Sequence, residues 1–425
     1  MRARAAVSLT AAALLIGTTI GGCGSTAPTP VPATPTAAAP SATAPATPSA
    51  TPIPTDTPVT DTVSLGNLPT GGAVTDDGRF LWTVSAGFGA NDIRIVDTAT
   101  RQVCQTIPVA GASGGIALDS AHKLAFVSGI TMSRWRPSEV NLPGAKGNVV
   151  VVYRFTDTCG EAVFDRLIEL PPPANAPILQ QYPPIPQRSV EPGTTSSWPQ
   201  QVAVSPDGSH LLVALNLADT AAVVDLGSAG TADTVHYVQL EAASYAFGAA
   251  ILPDGKTGLV TGEATGMLSV IDLATATLER DIAIGAPLSH PQGVTVDTEG
   301  KRAYIAMSAS DLVTVVDLAT RTVERTISVG RAAGLGTQPV AVALDPDGTR
   351  LFVAESGANE VAVVGIPAPT ATTATAEDWK VIGRVPTADT PQAVAMVPAH
   401  DGTPVELAWI SGRGLDVGPN STGPN

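Results

Sequence analysis

The chain has 425 residues, a formal net charge of −15 and a hydrophobic fraction of 44%. An acidic balance excludes a surface that holds nucleic acid through phosphate contacts, so no nucleic-acid partner is expected. Three cysteines exclude a disulfide-dense scaffold, while the hydrophobic fraction is sufficient for a large core.

Residues 1–22 have the pattern of an export signal. Arg2 and Arg4 precede an apolar run over residues 5–20, which is shorter than the roughly 20 residues that a membrane span needs. Small residues then lead into Cys23 in a way that resembles a bacterial lipoprotein signal. The resemblance implies lipid on that cysteine and a protein anchored at the cell membrane or cell surface, facing outward from the cytoplasm. An ordinary secretory peptide is the alternative.

Residues 23–60 are rich in Pro, Thr and Ala and contain one charged residue, Asp56. Such a composition cannot bury enough apolar surface to offset the entropy of ordering the chain, so it predicts a disordered tether. The Gly/Pro-rich residues 418–425 are expected to form a disordered tail.

Between these segments, residues 61–417 alternate short apolar runs with turns. An acid-Gly pair recurs, and glycine supplies the positive φ that a tight turn needs. The pairs are Asp77-Gly78, Asp207-Gly208, Asp254-Gly255, Glu299-Gly300, Asp347-Gly348 and Asp401-Gly402. The last five pairs lie 45 to 54 residues apart, and the longer interval before them has room for one degenerate copy. The pattern therefore predicts seven units.

Each unit contains four short strands, and the third strand usually ends in an acid, as in Val315-Val316-Asp317. Four strands per unit are typical of a propeller blade. The units resemble YVTN-type repeats of YncE-like and surface-layer-associated proteins, most clearly over residues 291–330 and 339–364. The resemblance implies an all-β, seven-bladed β-propeller, whose last blade we expect residues 61–68 to complete. Proteins of this kind include lactonases, quinoprotein-like enzymes and binding domains, so the fold does not fix the activity.

Two insertions, residues 131–147 and 171–198, lengthen loops that emerge on one face of such a propeller. Aromatic and arginine side chains are frequent binding anchors. The insertions carry Arg134, Trp135, Arg136 and Trp198. We predict that they cover one end of the central channel and bind a ligand; the alternative is that the two tryptophans only hold the loops in place.

Three glutamines occupy one equivalent position near the start of the innermost strands: Gln200, Gln292 and Gln392. A side-chain amide both donates and accepts hydrogen bonds and therefore suits a neutral polar ligand. The alternative is a repeat residue that binds only backbone and water. His290 precedes one of these strands and is a candidate ligand contact, general base or metal ligand.

Glu263 and Glu355 each come at the end of a second strand and are the weak candidates for holding a divalent cation, which prefers oxygen ligands. No sequence motif for another cofactor is present, and no catalytic residue is assigned. Gly111 to Gly115 fits the G-x-S-x-G string, but a strand follows it where a nucleophile elbow needs a helix.

Cys104 and Cys159 fall at the outer rim of the first two predicted blades. Because an exported location is oxidising, we predict that they form a disulfide.

These features favour a membrane-anchored binding module whose partner is an envelope protein or a neutral or cationic small ligand. One alternative is a propeller hydrolase of lactonase type that uses a channel metal. Another alternative is a structural envelope protein without a small ligand.

Overall fold

The computed structural model describes residues 62–86, 91–109, 111–130, 148–173, 197–227, 231–331, 336–367 and 378–413. These ranges contain 26 β-strands and no α-helix. None of the described residues forms a helix with the length and hydropathy of a bilayer span. Cys23, the predicted tether and the predicted tail lie outside the described residues.

The strands form seven antiparallel sheets, each built from consecutive strands. The first three sheets contain β1 Pro69–Val74, β2 Phe80–Ser85, β3 Asn91–Asp97 and β4 Gln102–Val109; β5 Ala112–Asp119, β6 Leu124–Ile130, β7 Asn148–Arg154 and β8 Val163–Glu169; and β9 Pro199–Val204, β10 His210–Leu215, β11 Thr220–Asp225 and β12 Thr234–Gln239.

The remaining sheets contain β13 Ala246–Ile251, β14 Thr257–Gly262, β15 Met267–Asp272 and β16 Thr277–Ala283; β17 Pro291–Val296, β18 Arg302–Met307, β19 Leu312–Asp317 and β20 Thr322–Ser328; β21 Pro339–Leu344, β22 Arg350–Glu355, β23 Glu360–Gly365 and β24 Lys380–Pro386; and β25 Pro391–Val397 with β26 Glu406–Ser411.

The first strands of the seven sheets contact one another in a closed circle, so they are the inner strands of a propeller. This confirms the predicted all-β propeller. The prediction of seven four-stranded blades is wrong for the described residues, which form six four-stranded blades. A two-stranded sheet of β25 and β26 lies between the sixth blade and the first. Residues 412 and 413 are the last described residues after β26.

The apolar runs become the middle strands of the blades. In β10 and β11 almost every side chain is buried, because both faces of a blade are covered by neighbouring blades. Phe126 of the second blade, for example, belongs to one core cluster with Leu211 and Val213 of the third. Outer strands such as β12 alternate exposed and covered residues. Burial between blades therefore explains why the central runs lack the alternation of a half-exposed strand.

Residues 62–68 form no strand and lie against the first blade. The Ser64 carbonyl accepts a hydrogen bond from Arg94 Nη1 at 2.9 Å, and the Leu65 carbonyl accepts one from Ser85 Oγ at 2.9 Å. The expected pairing of this segment with the last blade is therefore not present in the described residues.

Cys104 and Cys159 lie together where the first two blades meet, with their Cα atoms 5.8 Å apart. This separation suits a disulfide. Beneath the pair, a crevice of about 10 Å³ lined by Trp82 and Phe155 has room for roughly one water molecule. Cys104 and Cys159 thus hold adjacent blades together at the rim, away from the inner strands.

Candidate functional site

The blade-to-blade connections and the turns between second and third strands lie at the same end of the antiparallel sheets. We call this end of the inner strands the mouth. The described residues that flank both predicted insertions lie at it. Residues 131–147 lie outside the described residues, and so do Arg134, Trp135 and Arg136; only residues 171–173, 197 and 198 of the second insertion are described. The prediction that these loops bind a ligand stays a prediction.

In six of the seven described sheets, the inner strand follows a residue in the left-handed backbone region, with φ between 47° and 61°. In each case its carbonyl accepts the N–H of the residue that follows the second strand, at 2.8 to 3.2 Å. We call these six pairs the mouth pairs. They are Leu68 with Ala86, Trp198 with Asn216, Tyr245 with Glu263, His290 with Ser308, Gln338 with Ser356, and Thr390 with Gly412.

The left-handed residues are held by a second set of bonds that the sequence analysis missed. Asp219 accepts hydrogen bonds from the Ala243 and Ser244 amides at 2.8 and 2.9 Å. Asp311 accepts one from the Thr337 amide at 2.8 Å. In the third and fifth blades the carboxylate immediately before the third strand thus caps the connection to the next blade. The sequence signal that could have predicted these caps is an Asp or Asn directly before the third apolar run of a unit.

The three predicted glutamines do not meet in one pocket. With its amide oxygen turned toward the indole, Gln200 accepts from Trp198 Nε1 at 2.7 Å and donates to the Ser113 carbonyl at 3.1 Å. Gln392 donates to Ser356 Oγ at 3.1 Å, which joins the last sheet to the sixth blade. Each of these two amides therefore connects neighbouring parts of the ring and has a side-chain partner, and a role of either glutamine in binding a ligand stays a prediction.

Gln292 makes the corresponding connection to the Glu263 side chain. Three of the predicted site residues, Glu263, His290 and Gln292, come together here. Gln292 Nε2 donates to Glu263 Oε1 at 2.8 Å, and His290 Nδ1 lies 4.0 Å from the same oxygen. Burial raises the pKa of Glu263, while the bond from Gln292 and the nearby imidazole oppose that shift. The Asn216 side chain, whose Nδ2 donates to the Ala246 carbonyl at 3.2 Å, also lowers the pKa of this carboxyl group. We call Glu263, His290, Gln292 and Asn216 the Glu263 cluster.

The Glu263 cluster offers a carboxylate supported mainly by neutral donors. The Glu263 side chain is 16% exposed and the His290 side chain is 43% exposed, so a ligand can reach both. No Lys or Arg among the described residues pairs with this carboxylate, and its one basic neighbour there is the His290 imidazole. No three His, Cys, Asp or Glu side chains among the described residues are grouped to hold a metal ion. The arrangement can accept a hydrogen bond, bind a cation or exchange a proton.

Glu355, the other weak metal candidate, belongs to a different cluster. Its side chain is completely buried, and Arg384 Nη1 bonds both Glu355 and Glu360. Arg384 Nη2 also donates to the Val329 carbonyl at 2.8 Å, and Arg331 Nε donates to Glu360 at 2.9 Å. Two guanidinium groups already bond this pair of acids, so Glu355, Glu360, Arg331 and Arg384 tie the sixth blade to the end of the fifth instead of offering an open cation site.

Burial and the neighbouring Glu360 raise the pKa of the Glu355 carboxyl group. One of its oxygens, Oε1, is buried and makes no hydrogen bond to a described residue. An unpaired charged oxygen is costly to bury, which favours the neutral form of Glu355 beside an ionised Glu360.

The comparisons with known proteins support the fold. Residues 188–365 match the model of the YncE-like β-propeller family. This range spans blades three to five and most of the sixth, including the Glu263 cluster and Glu355 but not Arg384. A search among curated proteins found no match.

Solved structures similar to this one are propellers of low sequence identity. A candidate 6-phosphogluconolactonase from Bacteroides uniformis is 15% identical, with a TM-score of 0.56 over 82% of this chain and 90% of that chain. Hydrazine synthase from Kuenenia stuttgartiensis is 15% identical, with a TM-score of 0.56 over 83% and 97%. A candidate 6-phosphogluconolactonase from Bacteroides fragilis is 13% identical, with a TM-score of 0.54 over 81% and 87%. At these identities the likeness shows the fold alone.

The raised pKa of Glu355 predicts a pH-dependent stability. The unfolded carboxyl ionises from about pH 4.5 upward, whereas the folded one stays neutral, so its stabilising contribution is complete at lower pH and declines as pH rises toward the folded pKa. Each pH unit in that interval costs about 1.4 kcal/mol. Glu355→Gln cannot ionise, and its free energy of unfolding should therefore fall less than that of the wild type between pH 5 and pH 7.

Urea unfolding at several pH values measures this difference. Glu360→Gln is the matched control, because it removes the ionised partner of both arginines and should lower stability at every pH. Parallel pH profiles for wild type and Glu355→Gln would show that Glu355 is ionised in the folded protein.

Proposed function

We propose that the protein is a membrane-anchored, extracytoplasmic propeller that acts as a ligand- or protein-binding module. The observation that carries this proposal is the Glu263 cluster, where Glu263, His290 and Gln292 meet at the mouth, the end at which the described residues that flank both insertions lie. The anchor rests on the lipoprotein-like residues before Cys23. The acidic, low-charge composition is consistent with a protein that remains soluble beyond its anchor.

The mouth pairs support a role in ligand recognition, because their shared backbone geometry does not depend on which side chain each left-handed residue carries. The six left-handed positions share one hydrogen-bond pattern but carry six different side chains. Blades three to five hold Trp198, Tyr245 and His290 there, whereas the first blade holds Leu68. A constant backbone with variable polar and aromatic side chains is how binding loops are displayed on rigid scaffolds.

A hydrolase of lactonase type is the second candidate. It is favoured by the two similar structures from Bacteroides species described as candidate 6-phosphogluconolactonases. In this chain, such chemistry would use the Glu263 carboxylate with His290, either to bind a channel cation or to move a proton. A structural envelope protein without a small ligand is the remaining alternative.

We also propose that the sheet of β25 and β26 is the inner part of a seventh blade, which residues 62–66 help to cover. In the fifth blade, Thr314 Oγ1 donates to the carbonyl of Ile284, which follows the outer strand of the fourth. Ser64 and Leu65 make the same kind of contact with the first blade. They therefore occupy the place of an outer-strand end of a preceding blade.

Deleting residues 52–66 tests the seventh blade. The edge of β26 would lose its cover, and we expect a lower midpoint of thermal unfolding and weaker amide-exchange protection in Glu406–Ser411. Deletion of residues 24–38, within the predicted tether, is the control and should change neither quantity. Equal stability of the two deletions would exclude the N-terminal segment as part of the ring.

The binding-module proposal is tested with full-length and signal-free protein. The full-length chain should fractionate with membranes and Cys23→Ser should not. Purified signal-free protein should bind no stoichiometric divalent ion and should not hydrolyse lactones, including 6-phosphogluconolactone. A bound ion that is lost in Glu263→Gln, together with lactone hydrolysis, would establish the hydrolase in place of the binding module.

A further inference from the structure

An exposed leucine lies beside the Glu263 cluster. Leu288 is 64% exposed, the largest value among the large hydrophobic side chains of the described residues. Its backbone is left-handed, with φ of 64°. An apolar side chain in water and a left-handed backbone at a non-glycine residue are both unfavourable, and strain of this kind often occurs at ligand contacts.

Backbone hydrogen bonds fix Leu288 relative to Glu263. The Leu288 amide donates to the Ala264 carbonyl at 2.8 Å, and the His290 amide donates to the Glu263 carbonyl at 3.2 Å. The connection before β17 therefore runs alongside the end of β14. Chain segments bonded in this way lie roughly 5 Å apart, so the Leu288 backbone runs beside Ala264, the residue that follows Glu263 at the mouth.

The charges at the mouth are unequal. Gln292 bonds the Glu263 carboxylate with a neutral donor, while the Glu355 and Glu360 pair of the sixth blade is bonded to Arg384. The mouth at the fourth and fifth blades thus keeps a negative group that no Lys or Arg among the described residues pairs with. A cation brought by a ligand would supply the missing charge.

We propose that Glu263 and Leu288 form a subsite for a primary alkylammonium group, with the nitrogen on the carboxylate and the alkyl chain over the leucine. This assignment rests on the proposed binding function and names the class of ligand. The same chemistry occurs in a free alkylamine and in a lysine side chain of a partner protein. A neutral sugar would use the carboxylate but gain nothing from the leucine, and a divalent cation would need further oxygen ligands.

The experiment is saturation-transfer NMR on the signal-free protein with n-butylammonium, n-butanol and Nα-acetyl-lysine methyl ester, in which the side-chain ammonium group is free. Butylammonium should bind saturably, and butanol should bind at least about tenfold more weakly, since a charge-assisted hydrogen bond is lost. Glu263→Gln should weaken ammonium binding by about tenfold, and Leu288→Ser by about threefold. Preferential binding of the lysine ester over butylammonium would assign the source to a protein partner, and the reverse preference to a free amine.

Asp347→Asn, at the opposite end of the sixth blade, is the control for loss of one carboxylate and should bind as the wild type does. Leu288 is exposed, so Leu288→Ser should fold normally. This variant still tests the assignment if Glu263→Gln is poorly folded. Equal binding of butylammonium and butanol, or unchanged binding in both variants, would overturn the ammonium assignment.

The failures of the two proposals are distinguishable. Saturable binding of a neutral saccharide that is lost in His290→Ala, without ammonium binding, would contradict the ammonium assignment and retain the binding module. Lactone hydrolysis with a bound metal ion would contradict both.

Discussion

The structure depends on one hydrogen bond that recurs around the ring, from the residue after each second strand to the carbonyl of the left-handed residue before the inner strand. It is present in six of the seven described sheets. The bond sets where an inner strand begins and how the connection from the preceding blade reaches it. Five of the six left-handed residues precede a proline, a context that restricts the backbone further. Acidic caps such as Asp219 and Asp311 supply the extra hydrogen bonds that hold this conformation.

This arrangement explains why the mouth can vary in chemistry while the blades stay alike. Backbone atoms make the repeated bond, so the side chains at these positions do not have to maintain the ring. The two buried acids illustrate the freedom that results. Glu355 belongs to a hydrogen-bonded network with Arg384 that joins two blades. Glu263 accepts a hydrogen bond from the Gln292 amide and remains accessible. The first is a feature of stability, and the second is the strongest candidate for recognition.

Much of the fold could be predicted from the sequence, because acid-Gly turns and apolar runs are local signals repeated at regular spacing. Seven units were recognisable, and the last one could be assigned only two strands of its own, since Gly412 and the residues after it lack a repeat pattern. The position of residues 62–68 was not recognisable, because it depends on hydrogen bonds from Arg94 and Ser85 of the first blade. The meeting of Glu263, His290 and Gln292 could be predicted only in part. Their common face followed from the topology, whereas the bond between Gln292 and Glu263 joins residues on neighbouring blades. Asn216 and Leu288 were missed because neither belongs to a chemical motif.

A left-handed backbone, and not side-chain packing, defines the mouth. Urea titration of His290→Asn and His290→Val compares the unfolding free energies of two variants that differ in their tolerance of this backbone. Asparagine tolerates the left-handed region and valine does not. We expect the asparagine variant to retain wild-type stability and the valine variant to lose about 1–2 kcal/mol. Equal stability of the two variants would contradict this role of the backbone.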